Sequence, residues 1–277
     1  EWLDIKRDKR DVVPTTLKDI EALIGNSVVM TERMPYLGEL ASGDFFLEDQ
    51  RVTGLNELLR PTYLWTADAY GLTEVVDWND RHEQIFYANT VLDRLERLPD
   101  LSNTEQWLTT KGSALFFRAW GIYQLAQLFC KPYDASKAGT DPGIPFLLEA
   151  DVNLRAERGT VQQTYERIVS DLKAASTLVP DLPRFKTLPG KAAVYGMLAR
   201  VYLLMGRYED ALHYADEALA IDNTLIDYNT LDTLSAAPFE RFNREVVFRS
   251  IMTSTSRLRP PYANLDRDLH ASYAHSD

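Results

Sequence analysis

The stretch "AAVYGMLARVYLLMGRYEDALHYADEALAID", Ala192 to Asp222, sets the reading of the whole chain. Its apolar and small residues recur at i, i+3, i+4 and i+7, the spacing that lines one face of an α-helix and not the alternation of a half-buried strand. Gly206 divides the run near its middle, which predicts two helices joined by a tight turn. Alanines at helical spacing let two antiparallel helices approach closely, and the Tyr and Leu side chains fill the space between them. Such a hairpin is a frame element, so the chemistry has to be sought elsewhere in the chain.

Laid against the tetratricopeptide pattern, Tyr195, Leu198, Ala199, Tyr202, Gly206, Tyr208, Ala211 and Ala218 fall at the expected offsets, with Asn223 where the pattern has its closing proline. A second, interrupted copy precedes it. "GSALFFRAWGIYQLAQLF" and "TVQQTYERIVSDLKAASTLVP" read as its two helices, and Ala175 and Pro180 keep the spacing of the second helix's end. Helix pairs are therefore expected over about 103–180 and 190–222. The insertion from Cys130 to Gly159 is foreign to an ordinary scaffold repeat.

Working outward, the 277 residues are 45% hydrophobic and 26% charged, a balance that supports a sizeable buried core. The net charge of -11 argues against a nucleic-acid partner, because that affinity comes largely from Lys and Arg displacing counterions. Cys130 is the only cysteine, which excludes an internal disulfide and a thiolate metal site. No run of about 18 apolar residues exists, so no segment reads as a membrane-spanning helix. Any lipid or membrane anchor is expected outside these residues. The chain opens on Glu1-Trp2-Leu3 without an initiator Met, which suggests that an upstream segment has been removed.

The remaining sequence is also mostly helical. A capping Thr before "LKDIEALIGN" predicts a short helix that Gly25 stops. "RHEQIFYANTVLDRLERL", from Arg81 to Leu98, predicts an amphipathic helix closed by Pro99. Asn103 with Gln106 three residues later forms a capping-box signal for a long, almost all-round apolar helix, and Thr160 caps the next. Residues 34–80 read as a loop-rich region, with a short helix available in "VTGLNELLR". "EVVFRSIM" reads as a strand or extended segment, and "LDRDLHASYAHSD" shows no helix or cap. The expected fold is all-α: tetratricopeptide-like hairpins with long irregular insertions in a single domain over 1–277.

No catalytic or metal-binding pattern survives inspection. His82 in "HEQIF" lacks the second His that a zinc-binding helix needs, and His213, His270 and His275 are scattered. Asp77 and Asn79 begin like an alternating oxygen-ligand loop, but Arg81 at the fifth position and the missing glycine exclude an EF-hand. Gly190-Lys191 lacks the spacing of a phosphate loop, and no G-x-S-x-G elbow occurs. Cys130, at the end of an apolar helix, reads as a buried small hydrophobe. No catalytic residue, cofactor or metal is expected. The aromatic residues Tyr63, Trp65, Tyr70 and Trp78 instead punctuate a polar stretch that also holds Asp68 and Asn79. Aromatic platforms flanked by polar groups suit sugars, whose CH faces stack while their hydroxyls hydrogen-bond; the competing role for these rings is to pin the loop onto the helices.

Six pieces in order resemble the SusD/RagB family of outer-membrane nutrient-binding lipoproteins. They are "WLDIKRDKRDVVPTTLKDIEALI", "WNDRHEQIFYANTVLDRL", "SALFFRAWGIYQLAQLF", "GIPFLLEADVNLRAERGTVQQTYERIVSDLKAA", "GKAAVYGMLARVYLLMGRYEDAL" and "REVVFRS". His82-Glu83 departs from the family's frequent aromatic, and the family's C-terminal region is missing from the match. The resemblance implies a non-catalytic, lipid-anchored cell-surface protein of the outer membrane. It would capture an oligosaccharide or other nutrient and pass it to a SusC-like TonB-dependent transporter. The alternatives are a tetratricopeptide scaffold binding a protein or peptide in its concave groove, and a helical glycosidase with a carboxylate pair in a cleft.

Overall fold

A computed structural model describes residues 14–67, 70–71, 74–151, 153–253 and 263–273. The opening residues before Pro14, with the first part of the family-like opening, lie outside them, as do Asp68 and His275. The structure is mostly helical, with tetratricopeptide-like hairpins. Its elements begin with helices α1 (Leu17–Ile24), α2 (Ser27–Met30) and α3 (Leu37–Leu40). The short strand β1 (Phe45–Phe46) and helices α4 (Asp49–Thr53), α5 (Leu59–Tyr63) and α6 (Val76–Glu96) come next. The long helix α7 (Glu105–Phe129), strands β2 (Pro142–Pro145) and β3 (Arg158–Thr160), and helices α8 (Val161–Ser176), α9 (Lys191–Leu204) and α10 (Tyr208–Ile221) follow. The last two are β4 (Asn264–Leu265) and α11 (Arg267–Ser272).

These elements fall into two compact units, one of residues 1–30 and 82–249 and one of residues 31–81 and 250–277. In the first, α7 packs along α8, α8 on α9, and α9 along α10, so the two predicted repeat pairs form one stack. Phe116, Phe117, Ile122, Leu125, Ile168, Leu172, Leu198 and Tyr202 are fully buried between these helices. Close approach needs the small residues. A side chain at Gly112 would press on Leu178 and Val179 where α7 meets the end of α8. Gly206 makes the α9–α10 turn at φ +70°, the left-handed region that glycine enters without a steric penalty.

The local start signals are used mostly as written. Thr16 and Thr160 each cap a helix with a reciprocal capping box, completed by Asp19 and Gln163. At α7 the cap is Thr104 and not Asn103: the Thr104 hydroxyl accepts from the Trp107 N–H at 3.3 Å and donates to the Leu101 carbonyl at 2.8 Å. The Cys130–Gly159 insertion folds onto α8. Its β2–β3 ladder pairs Pro142 with Thr160, and Gly143 sits so close to the Thr160 carbonyl that no side chain fits there. "EVVFRSIM" is neither a strand of a sheet nor a straight extended run: a turn at Glu245 and bends at Val247 and Phe248 shape it, and Met252 makes only an isolated bridge. Phe248 packs against Phe116 and Trp120 at 5.1 and 5.5 Å between ring centroids.

The second unit is built from short pieces. β1 pairs antiparallel with β4, Phe45 opposite Leu265, and Met34 forms a single parallel bridge to Met252. "VTGLNELLR" is not one helix. Gly54 ends α4, and the Asn56 side chain accepts from the Leu58 and Leu59 N–H groups at 3.1 and 2.8 Å to start α5. The C-terminal stretch holds a short capped helix after all, because Asp266 accepts from the Asp268 and Leu269 N–H groups, each at 3.0 Å.

Candidate functional site

The aromatic stretch is divided by the structure into rings that anchor and a ring that stands out. Tyr63 lies in the last turn of α5, half-buried, where its hydroxyl accepts from the Leu47 N–H at 2.9 Å and its ring sits 6.3 Å from Phe45. Trp78 and Asn79 belong to the first turn of α6, which begins five residues before the periodic apolar pattern does, at Val76 and not Arg81. Trp78 is half-buried, and Asn79 is exposed and donates to Glu74 at 2.7 Å. Tyr70 is half-buried. Burial, and then the nearby Asp77 carboxylate, push its phenol above the ordinary value.

Asp77 explains why α6 starts early. The side chain is 2% exposed, and one carboxylate oxygen accepts from the Tyr36 and Leu37 N–H groups, each at 2.9 Å, holding the start of α3. Burial raises its pKa, while those two N–H groups and Arg81 pull it back. Arg81 is fully buried and donates to the Arg33 carbonyl, and Arg33 pairs with Asp80 at 3.0 Å. A polar first turn thus becomes helical through partners distant in sequence.

Trp65 is different from the other rings. The Thr66 N–H reaches the Pro61 carbonyl at 3.0 Å and the Trp65 N–H reaches Thr62 at 3.3 Å, a double closure of the end of α5. That closure places its hinge residue in the left-handed region, a position that glycine normally fills. Here it is Trp65, at φ +54°. Trp65 is 77% exposed, yet its indole Nε1–H donates to the Ala41 carbonyl at 3.0 Å, which fixes the ring's orientation. A large aromatic ring, held in a strained backbone position and turned to solvent, is a surface that core packing does not require.

Sequence reading missed the polar network under the repeat. Arg118, 7% exposed, holds Asp171 with two hydrogen bonds of 2.7 and 2.8 Å and donates to Asn89 at 3.1 Å. Asn89 donates to the Leu147 carbonyl at 2.8 Å, and Arg167 adds a 3.3 Å contact to Asp171. The signal was present in pieces. Asn89, Arg118 and Asp171 come from the Ala-Asn, Arg-Ala and Asp-Leu motifs, and they converge on one buried cluster that ties α6, α7 and α8 to the insertion. His82 serves the same insertion, with Nε2 3.0 Å from the Pro145 carbonyl. Tyr165, of the motif that holds Asp171, accepts from Gln127 at 2.9 Å, and burial pushes its phenol up to about 12. Cys130 is half-buried, and burial pushes its thiol up, away from nucleophilic form. Among the described residues, no group of three or more His, Cys, Asp or Glu side chains is placed to hold a metal ion.

A stack of tetratricopeptide-like hairpins with a long insertion between α7 and α8 defines a helical-repeat protein. The family model described as starch-binding and associating with the outer membrane matches residues 1–203, and the chain belongs to this SusD-like family. SusD-like protein P2 of Formosa agariphila is 29% identical over 216 residues, 75% of this chain and 39% of that protein. A SusD superfamily protein from Bacteroides thetaiotaomicron superposes with a TM-score of 0.66 at 25% identity, covering 77% of this chain and 49% of its own. A protein of Bacteroides vulgatus, provisionally named sugar-binding, gives 0.65 at 25% identity, covering 77% and 48%. The chain therefore spans two fifths to one half of the length of these relatives.

Proposed function

We propose that this chain is the repeat-bearing part of a non-catalytic, lipid-anchored glycan-binding protein of the outer membrane, which captures an oligosaccharide and passes it to a SusC-like TonB-dependent transporter. The family description names starch binding and the outer membrane, and one of the structural relatives is named for sugar binding. The observation that carries the reading is Trp65, exposed and pinned in a position that favours glycine. Sugar rings stack their CH faces on such an indole, and the surrounding polar groups take the hydroxyls. Tyr63, Tyr70, Trp78, Asn79 and Asp68, which share this stretch of sequence, are the other residues proposed to bind the ligand. Capture by stacking and hydrogen bonding breaks no bond, so the ligand leaves unchanged.

The test is Trp65→Ala in the full-length lipoprotein, with oligosaccharide affinity measured by titration calorimetry. A loss of about tenfold, equivalent to roughly 1.4 kcal/mol, is expected with the fold intact. Unchanged affinity would place the site elsewhere, and turnover of the oligosaccharide would overturn the non-catalytic reading.

A further inference from the structure

The buried Asn89–Arg118–Asp171 cluster has an open side. A cleft of about 530 Å³, within the size range of small-ligand sites, is lined by the last turns of α6, by α7 and by residues 148–151. Asn89 and Arg118, 2% and 7% exposed, form its rigid floor. Leu92, Leu115 and Leu148 supply apolar wall, and Leu148 is 42% exposed.

The charges of the lining decide the ligand class. Arg94, Arg97, Lys111 and Arg118 are matched by Asp93, Glu96, Glu149 and Asp151, so neither an anion nor a cation is favoured. Several of these groups are uncommitted. Among the described residues no hydrogen bond or ion pair engages the side chains of Glu96, Lys111 or Glu149; Lys111 only overlies the Trp107 ring at 4.8 Å. Arg94 Nε is buried without a hydrogen bond, its nearest carboxylate oxygen being that of Asp93 at 3.6 Å. Donors and acceptors interleaved on apolar wall, at balanced charge, fit a neutral polyhydroxyl compound.

A second opening, of about 470 Å³, shares Leu148 with the first. Phe146, Glu157 and Ser170 line it with Arg167, which touches the same Asp171 that Arg118 holds. The two openings thus rest on one ion network and meet at one exposed leucine. We infer that this surface is a second glycan site, separate from Trp65, which takes a neutral oligosaccharide lying across Leu148. The inference rests on the reading of the protein as glycan-binding.

A printed array of neutral and acidic glycans, probed with the full-length protein, separates the two ideas. Trp65→Ala is expected to retain binding confined to neutral glycans, and adding Lys111→Ala and Glu149→Ala, or Leu148→Ser alone, is expected to remove what remains. These side chains lie outside the buried cluster, and unchanged circular dichroism checks that the fold is kept. Complete loss of binding in Trp65→Ala overturns the second site and leaves the loop site standing. Residual binding to acidic glycans, or residual binding indifferent to the cleft variants, also overturns it. No glycan bound by the wild-type protein overturns both readings.

Discussion

A tryptophan where the end of a helix calls for glycine carries a conformational penalty of about 1–2 kcal/mol for its left-handed backbone. Trp65 keeps that position at φ +54° while burying little of its ring. The expected outcome for Trp65→Gly is therefore opposite in sign for two properties: a midpoint of thermal unfolding that rises or holds, and an oligosaccharide affinity that falls. A drop in both would mean that the indole serves the fold. Asp77 makes the complementary case. Its burial raises the carboxyl pKa, so the unfolded chain releases this proton more readily than the folded one. Stability from this group is greatest below the ordinary carboxylate value, near 3.9, and is lost as pH climbs from there through the raised folded value. Asp77→Asn keeps an acceptor for the Tyr36 and Leu37 N–H groups but has no proton to lose. Its stability relative to wild type, measured in urea, should rise with pH across that window and then level off; a flat difference would remove burial as the cause.

At the scale of elements, the Arg118–Asp171 pair joins α7 to α8 with both partners buried. Asp171→Ala leaves a guanidinium without its counter-ion, and a loss of about 3–5 kcal/mol in unfolding free energy is expected. Replacing the pair together, as Arg118→Met with Asp171→Leu, should recover a large part of that loss, because the uncompensated charge and not the missing bond dominates. The same cluster shows what sequence can and cannot disclose. The hairpins and the Thr16 and Thr160 caps are legible because their causes lie within a few residues: helical spacing, a small residue at a contact, a hydroxyl three places before its N–H. The early start of α6 is not legible, because Asp77 is satisfied by backbone groups some forty residues away. Nor is α11 read in advance, since Asp266 gains its capping place beside a strand that pairs with β1. The four loop aromatics look equivalent in sequence. They separate only once Tyr63 is seen to hold Leu47 and Trp65 is seen to close α5.

For the molecule as a whole, the balance of charge bears on which glycans the proposed surfaces would hold. Each compact unit carries one proposed glycan surface: the Trp65 loop in residues 31–81 and the Leu148 clefts in residues 82–249. The chain has a net charge of -11, and the cleft over Arg118 has equal numbers of cationic and anionic lining residues. A neutral glycan gains nothing from the long-range field, whereas a sulfated or uronic-acid polymer is repelled before it reaches either surface. Raising ionic strength from about 0.01 M to 1 M shortens the screening length from roughly 30 Å to 3 Å, which removes that repulsion without touching stacking or hydrogen bonds at contact. Affinity for a neutral oligosaccharide should accordingly stay within about twofold across this salt range, while any weak retention of an acidic polysaccharide should grow with salt. Affinity electrophoresis at the two ionic strengths checks this. Neutral-glycan affinity that collapses in high salt would mean that binding depends on charge and not on the aromatic and hydroxyl chemistry assigned to Trp65 and the Leu148 surface.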